Sequence, residues 1–246
     1  MSGKGLLQRG WERALDWLYP RDCLHCSAPL HSDSNLKYLC DSCFQKVEVF
    51  APPQCPQCGL PYYGVVTVER ECQHCKELSP NFRKGHTTFR LRSPMRSLIH
   101  ALKYGKGRYA LEDLVKVALS APNTISFLEN SILVPVPLHP VRQMYRTYNQ
   151  SELIANELSK AIGSVKVESC LKRTKWTNTQ TRLTFAERQK NLRNVFTLKP
   201  KVQLTPESRY IVVDDVFTTG STLNSCCKIL LREGVTKLDI FALGHG

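Results

Sequence analysis

C-terminal to about residue 80, short apolar runs alternate with stretches in which apolar residues recur every three or four positions. The runs predict strands near Thr87–Leu91, Ile132–Pro137, Val165–Cys170, Tyr210–Asp214 and Lys237–Leu243. The periodic stretches predict helices near Pro94–Tyr104, Tyr109–Ala121, Gln150–Ile162, Phe185–Leu192 and Thr222–Glu233. Strands alternating with helices imply an α/β fold with a mostly parallel sheet covered on both faces. Ligands of such sheets bind beyond the carboxyl ends of the strands, so the residues after Val213 are the first place to look for chemistry.

The first 80 residues follow another pattern. Leu7, Trp11, Leu15 and Leu18 recur at helical spacing, which predicts an amphipathic helix within residues 1–19, with Trp17 beside its stripe. Such a stripe either packs on the module that follows or meets a membrane surface or partner. Arg9, Glu12, Arg13 and Asp16 interrupt any signal-peptide core, and no apolar run along the chain is long enough to span a bilayer. These features place the chain in the cytoplasm, with a peripheral position at the inner membrane as the variant.

Residues 20–80 carry a repeat: Cys23-x2-Cys26 precedes Cys40-x2-Cys43, and Cys55-x2-Cys58 precedes Cys72-x2-Cys75. A Cys-x-x-Cys turn aims two thiolates at one tetrahedral ion, and a second such turn closes the site. In a chain without an export signal, thiols serve metal rather than disulfides. The expectation is a small double zinc ribbon with two structural Zn²⁺ ions, the pairing of turns being either sequential or interleaved. His25 and His74 lie inside the turns and are read as neighbours of the ligands. Cys170, Cys226 and Cys227 have no Cys-x-x-Cys partner and are read as packing residues.

Charge sharpens the division. The chain has 246 residues and a formal net charge of +13, yet residues 1–80 hold 8 Lys+Arg against 9 Asp+Glu. The basic excess therefore lies entirely in residues 81–246, read as the α/β domain. With 42% hydrophobic and 22% charged residues, the composition is that of a globular chain and excludes a disordered one.

The most informative stretch is Tyr210-Ile-Val-Val-Asp214-Asp215-Val-Phe-Thr218-Thr219-Gly220-Ser221-Thr222. An apolar strand ends in two carboxylates, and a hydroxyl-rich loop then opens a helix. Free backbone N–H groups at a helix N-terminus favour an anion, and Gly220 lets backbone approach it. The carboxylates can accept hydrogen bonds from sugar hydroxyls, so a phosphorylated ribose satisfies both ends of the motif.

Asp214 to Thr222 resembles the phosphoribosyl pyrophosphate (PRPP) motif of type I phosphoribosyltransferases. Three further stretches narrow the likeness: Ile99-His-Ala-Leu-Lys103-Tyr104, then Val134 to Leu138 through Arg142, Arg146 and Asn149-Gln150, then Gln180 with Arg188, Asn191 and Phe196. With the preceding cysteine pairs, residues 20–246 resemble the ComF family of competence proteins, which includes GntX-like proteins. One departure is Thr147-Tyr148, where the family pattern has Gly-Phe.

The resemblance implies a type I phosphoribosyltransferase-like fold and a role in DNA uptake during natural transformation. It implies that Thr218, Thr219, Gly220, Ser221 and Thr222 hold a 5-phosphate and that Asp214 and Asp215 hold the ribose hydroxyls. Mg²⁺ would travel with the pyrophosphate. Arg142, Arg146 and Lys103 are candidate pyrophosphate contacts or, alternatively, solvated surface cations. Single-stranded DNA is the implied partner, with a DNA-uptake helicase or channel protein as a further one. The alternatives are phosphoribosyl transfer to an unidentified nitrogen acceptor, for which no catalytic base is evident, and the use of DNA as nutrient.

A phosphorylated ribose leaves most of the charge unexplained. Residues 82–111 hold eight Lys+Arg and no acid, and residues 172–209 hold ten against Glu187 and Glu207. Such an excess suits a polyanion, and Trp176, Tyr104, Tyr109 and Phe185 lie among the cations where bases could stack. The alternative is an ordinary basic surface.

Overall fold

The computed structural model describes residues 21–30, 34–62, 70–104, 107–138, 148–174 and 195–246. The expected helices at 1–19 and 185–192, and Arg142 and Arg146, lie outside the described residues. The chain forms two compact units, one of residues 1–47 with 92–114 and one of residues 48–91 with 115–246. Each unit contains one of the two cysteine clusters.

The first unit combines the first ribbon with a helix, α3 (Met95–Tyr104), and the start of α4 (Leu111–Ser120). The ribbon carries a one-turn helix, α1 (Asp41–Phe44). Met95, Leu98, Ile99 and Leu102 form the buried stripe of α3, as the periodicity predicts. The anchor of the ribbon is Asp113, a fully buried carboxylate that accepts from the backbone N–H of Lys37 at 2.9 Å and of Tyr38 at 2.7 Å. A buried charge is tolerated only when its oxygens are hydrogen-bonded, and here the partners are amides of the ribbon itself.

The second unit is built on a five-stranded sheet in the order β1–β7–β6–β2–β3, all neighbours parallel. The strands are β1 (Gly85–Arg90), β2 (Ile132–Pro135), β3 (Lys166–Val167), β6 (Arg209–Phe217) and β7 (Lys237–His245). Helix α6 (Gln150–Ile162) joins β2 to β3, and α7 (Ser221–Arg232) joins β6 to β7. A shorter helix, α5 (Thr124–Leu128), precedes β2, and α2 (Gln73–Leu78) belongs to the second ribbon. Two short strands, β4 (Leu171–Arg173) and β5 (Phe196–Leu198), pair antiparallel outside the main sheet.

Tyr210, Ile211, Val212 and Val213 are all fully buried, which explains why β6 reads as an unbroken apolar run. On one face of the sheet, Val134, Tyr210, Val212, Ile240 and Ala242 pack with Leu223, Cys226, Cys227 and Leu230 of α7. Cys55, Cys58, Cys75, Leu78 and Phe82 of the second ribbon join the same core. The three cysteines outside the clusters are buried as expected; burial pushes the Cys170 thiol up to about 11 and raises those of Cys226 and Cys227. No helix among the described residues is long and apolar enough to cross a membrane.

Candidate functional site

The connection from β2 leads outward to β3, whereas the connection from β6 leads the opposite way to β7. A crevice therefore opens between the carboxyl ends of β2 and β6, the switch point at which doubly wound sheets bind ligands. The pairing of β2 with β6 ends at Pro135 and Val213, with a last bond from the N–H of Val136 to the Val213 carbonyl at 2.9 Å. On the other side β6 stays paired with β7 as far as Phe217 and His245. Among the described residues, β6 thus has no strand partner on the crevice side from Asp214 onward.

The strand is longer than its apolar run predicts, and both carboxylates lie within it. Successive strand residues point to opposite faces, so Asp214 and Asp215 diverge. Asp214 Oδ1 accepts from Ser151 Oγ in the first turn of α6 and from the Asp215 N–H, both at 2.9 Å. Asp215 is buried. The chain then turns through Thr218 and Thr219 into Gly220, whose φ of 65° is left-handed, and α7 begins at Ser221. Thr218 is exposed, Thr219 and Thr222 are half-buried, and Ser221 is buried. Thr219 Oγ1 donates to Ser221 Oγ at 3.1 Å. A Cβ on Gly220 would lie 2.6 Å from Phe217 Cζ and 2.8 Å from Leu78 Cδ2, so no side chain fits.

On the β2 side, a pocket of about 170 Å³ is lined by Pro135, Pro137 and Leu138. Asn149, the N-cap of α6, and Glu152 line it together with Lys172 and Arg173 of β4 and Lys199, which follows β5. Asn149 is fixed twice, its Nδ2 donating to the Val136 carbonyl and its Oδ1 capping the N–H of Ser151. Glu152 accepts from Ser169 Oγ at 2.9 Å. Among the described residues, three cations against one carboxylate line the pocket, which favours an anion. Sequence reasoning did not single out these cations or Ser151. The only signal was the basic bias of residues 172–209, because β4 and β5 are too short for a periodic pattern. Lys103 lies in the other unit, half-buried in the last turn of α3.

The cysteines form two sequential clusters, Cys23, Cys26, Cys40 and Cys43, then Cys55, Cys58, Cys72 and Cys75, with all Sγ atoms of each set within 4.8 Å of one another. The Cys26–Cys40 and Cys58–Cys72 sulfur pairs are each 3.7 Å apart. Four sulfurs placed ~2.3 Å from Zn²⁺ have tetrahedral edges of about 3.8 Å, so the donor sets fit that ion. Hydrogen bonds from Cys58 and Cys75 hold the Cys55 thiol far below its ordinary range, and those contacts push the other two up. His25 contacts the Ser97 hydroxyl at 3.2 Å, and His74 sets its ring edge-on to Phe217.

The double zinc ribbon domain model matches residues 14–76. Competence protein F of Haemophilus influenzae is 33% identical over 229 residues, covering 91% of this chain and 96% of that protein. DNA utilization protein YhgH of Escherichia coli is 32% identical over 193 residues, covering 77% and 82%. Competence protein ComFC of Bacillus subtilis is 24% identical and covers 86% and 89%. Among solved structures, a hypoxanthine phosphoribosyltransferase of Staphylococcus aureus matches with a TM-score of 0.35 and 13% identity, over 56% of this chain and 64% of that one.

Proposed function

The chain belongs to the ComF family of competence and DNA-utilization proteins, and from that premise we propose that it binds PRPP with Mg²⁺ and handles single-stranded DNA. One observation carries the first half: at the switch point, Asp214 and Asp215 adjoin a hydroxyl-rich loop that opens the twelve-residue helix α7. The amides and hydroxyls of residues 218–222 hold the 5-phosphate, and the carboxylates accept from the ribose hydroxyls. The pyrophosphate lies toward the cationic pocket. Mg²⁺, a hard cation served by oxygen ligands, would accompany the ligand near Asp214 and Asp215 and neutralise charge on its pyrophosphate.

The DNA role rests on the names of the relatives and on charge. Eight Lys+Arg without an acid between residues 82 and 111 exceed what one phosphorylated ribose neutralises, and contacts to successive phosphates release counterions. A protein of the uptake machinery, a helicase or channel component, is the proposed docking partner.

Isothermal calorimetry with Mg²⁺–PRPP, on the wild type and on the Asp214→Asn, Asp215→Asn double variant, tests the site. Binding by the first and none by a folded double variant is expected; retained binding overturns the assignment. Fluorescent single-stranded DNA, titrated at two salt concentrations with and without PRPP, tests the second half. Affinity should fall steeply with salt, and any effect of PRPP on DNA must be matched by DNA on PRPP. Pyrophosphate release on adding a nitrogen acceptor would turn the reading toward transfer.

A further inference from the structure

The second ribbon does more than complete a core: it touches the loop assigned above to phosphate. Metal ligands Cys72 and Cys75 bracket the first turn of α2, so an ion bound there fixes where this helix starts. At its far end, Leu78 is buried and fills the space a Gly220 side chain would need. Between these ends, His74 meets Phe217, the fully buried residue that immediately precedes the loop.

Polar contacts complete the brace. Asn224 lies in the first turn of α7, its N–H donating to the Gly220 carbonyl at 2.8 Å. Its Oδ1 accepts from Asn81 N–H at 2.6 Å and Asn81 Nδ2 at 3.0 Å. Its Nδ2 donates to the carbonyls of Leu78 at 3.3 Å and Ser79 at 3.4 Å. One side chain thus ties the helix that opens at the phosphate loop to the end of the ribbon helix. The opposite side of the ribbon is fixed independently. Gly59 packs so closely on β1 that its Cβ would lie 2.8 Å from the Thr87 nitrogen, and Gln57 Nε2 donates to the Phe82 carbonyl at 2.6 Å. With one side anchored on the sheet, α2 and the residues just after it contact Phe217, Asn224 and the space beside Gly220, the route by which a shift of α2 would reach the loop.

We propose that Asn224 is a positioning residue and that metal in the second cysteine cluster, acting through α2 and Asn224, holds residues 218–222 in their anion-binding form. The inference rests on the phosphoribosyl reading of that loop. All four described contacts of the Asn224 side chain are to ribbon and linker groups, so its effect on affinity would be indirect.

The test measures Mg²⁺–PRPP affinity, zinc content and thermal unfolding on the full chain. Asn224→Ala is expected to keep both zinc ions and a cooperative transition while losing roughly tenfold or more in affinity, the scale of one or two hydrogen bonds. Asn224→Asp keeps the acceptor facing Asn81 and should recover part of the loss. Cys58→Ser should lose one zinc together with ligand affinity; if it fails to fold, the Asn224 pair decides. Wild-type affinity in a zinc-replete Asn224→Ala protein overturns the positioning role while leaving the phosphoribosyl reading intact. Absence of binding by the wild type overturns both.

Discussion

Ser151, in the first turn of α6, donates its hydroxyl to Oδ1 of Asp214 at 2.9 Å, linking the helix that follows β2 to the carboxylate that follows the apolar run of β6. Ser151 is buried, and the bond crosses the crevice beside the last paired residues of the two strands. A hydrogen bond to a charged acceptor contributes ~2 kcal/mol. Ser151→Ala is therefore expected to lower unfolding free energy by about that amount, read from urea melts. Mg²⁺–PRPP binding should weaken as well, because Asp214 loses the partner that orients it. An unchanged melt and unchanged affinity together would show that the bond is incidental.

Gly220 offers a harsher test of the loop. Its left-handed φ of 65° strains any L side chain, and a Cβ would collide with Phe217 and Leu78. Gly220→Ala should cost roughly 2 kcal/mol or more of stability and displace residues 218–222. Urea unfolding should register the first effect and calorimetric titration the second. A variant with wild-type stability would mean that the turn relaxes freely.

Much of this architecture was legible in the sequence, for identifiable reasons. The run at Tyr210–Val213 is apolar because both faces of β6 are covered, and α6 spans 150–162 as its periodicity predicts. The Cys-x-x-Cys spacing disclosed both metal sets, but their sequential pairing needed three dimensions. The end of β6 is not legible in the sequence, because Asp214 and Asp215 look like a strand terminus, whereas pairing with β7 carries the strand to Phe217. Lys172 and Lys199 were hidden because the cationic wall is assembled from two short strands distant in sequence. Nor could any pattern show that Leu78 meets Gly220, a tertiary contact between a ribbon and a loop.

Two buried histidines set a pH dependence of stability. Burial holds His86 down at about 4, where it contacts the Thr124 hydroxyl at 2.8 Å and stacks near Phe127. Burial likewise lowers His245 to about 4. Between the ordinary value of 6.5 and about 4, the unfolded chain binds protons that the folded chain refuses. Stability is thus fully present above that window and falls as pH drops through it, by at most roughly 3 kcal/mol per histidine. Urea melts between pH 7 and pH 4.5 should show the decline, with a shallower slope in His86→Gln. Equal slopes would show that His86 does not contribute.

The first ribbon depends on a different contact. Asp113 receives two ribbon amides through its two carboxylate oxygens, and Lys37 adds an exposed ion pair with Glu112 at 2.7 Å. Asp113→Asn keeps one acceptor but turns an NH2 group toward the other amide. The expected cost is about 3 kcal/mol, since a buried donor is left facing another donor. Glu112→Gln should change little, because exposed pairs contribute ~0–1 kcal/mol. Zinc retention under a chelator challenge should fall in the Asp113 variant and remain unchanged in the Glu112 variant.

On the proposed reading, the cationic pocket and the 218–222 loop take different parts of a phosphoribosyl ligand. Lys172 and Lys199 line the cavity at the end of β2, while the 218–222 loop follows β6. If the loop takes the 5-phosphate and the pocket takes the pyrophosphate, the two sites should respond separately to ligand truncation. A Lys172→Gln, Lys199→Gln double variant is expected to lose roughly a hundredfold or more in affinity for Mg²⁺–PRPP, since charged hydrogen bonds contribute ~1.5–3 kcal/mol each. Its affinity for ribose 5-phosphate, which lacks the pyrophosphate, should stay within about twofold. Raising salt should weaken PRPP binding less in the variant than in the wild type, because two charges that attract the ligand are gone. Equal losses for both ligands would assign the lysines to general electrostatic attraction instead of to the pyrophosphate end.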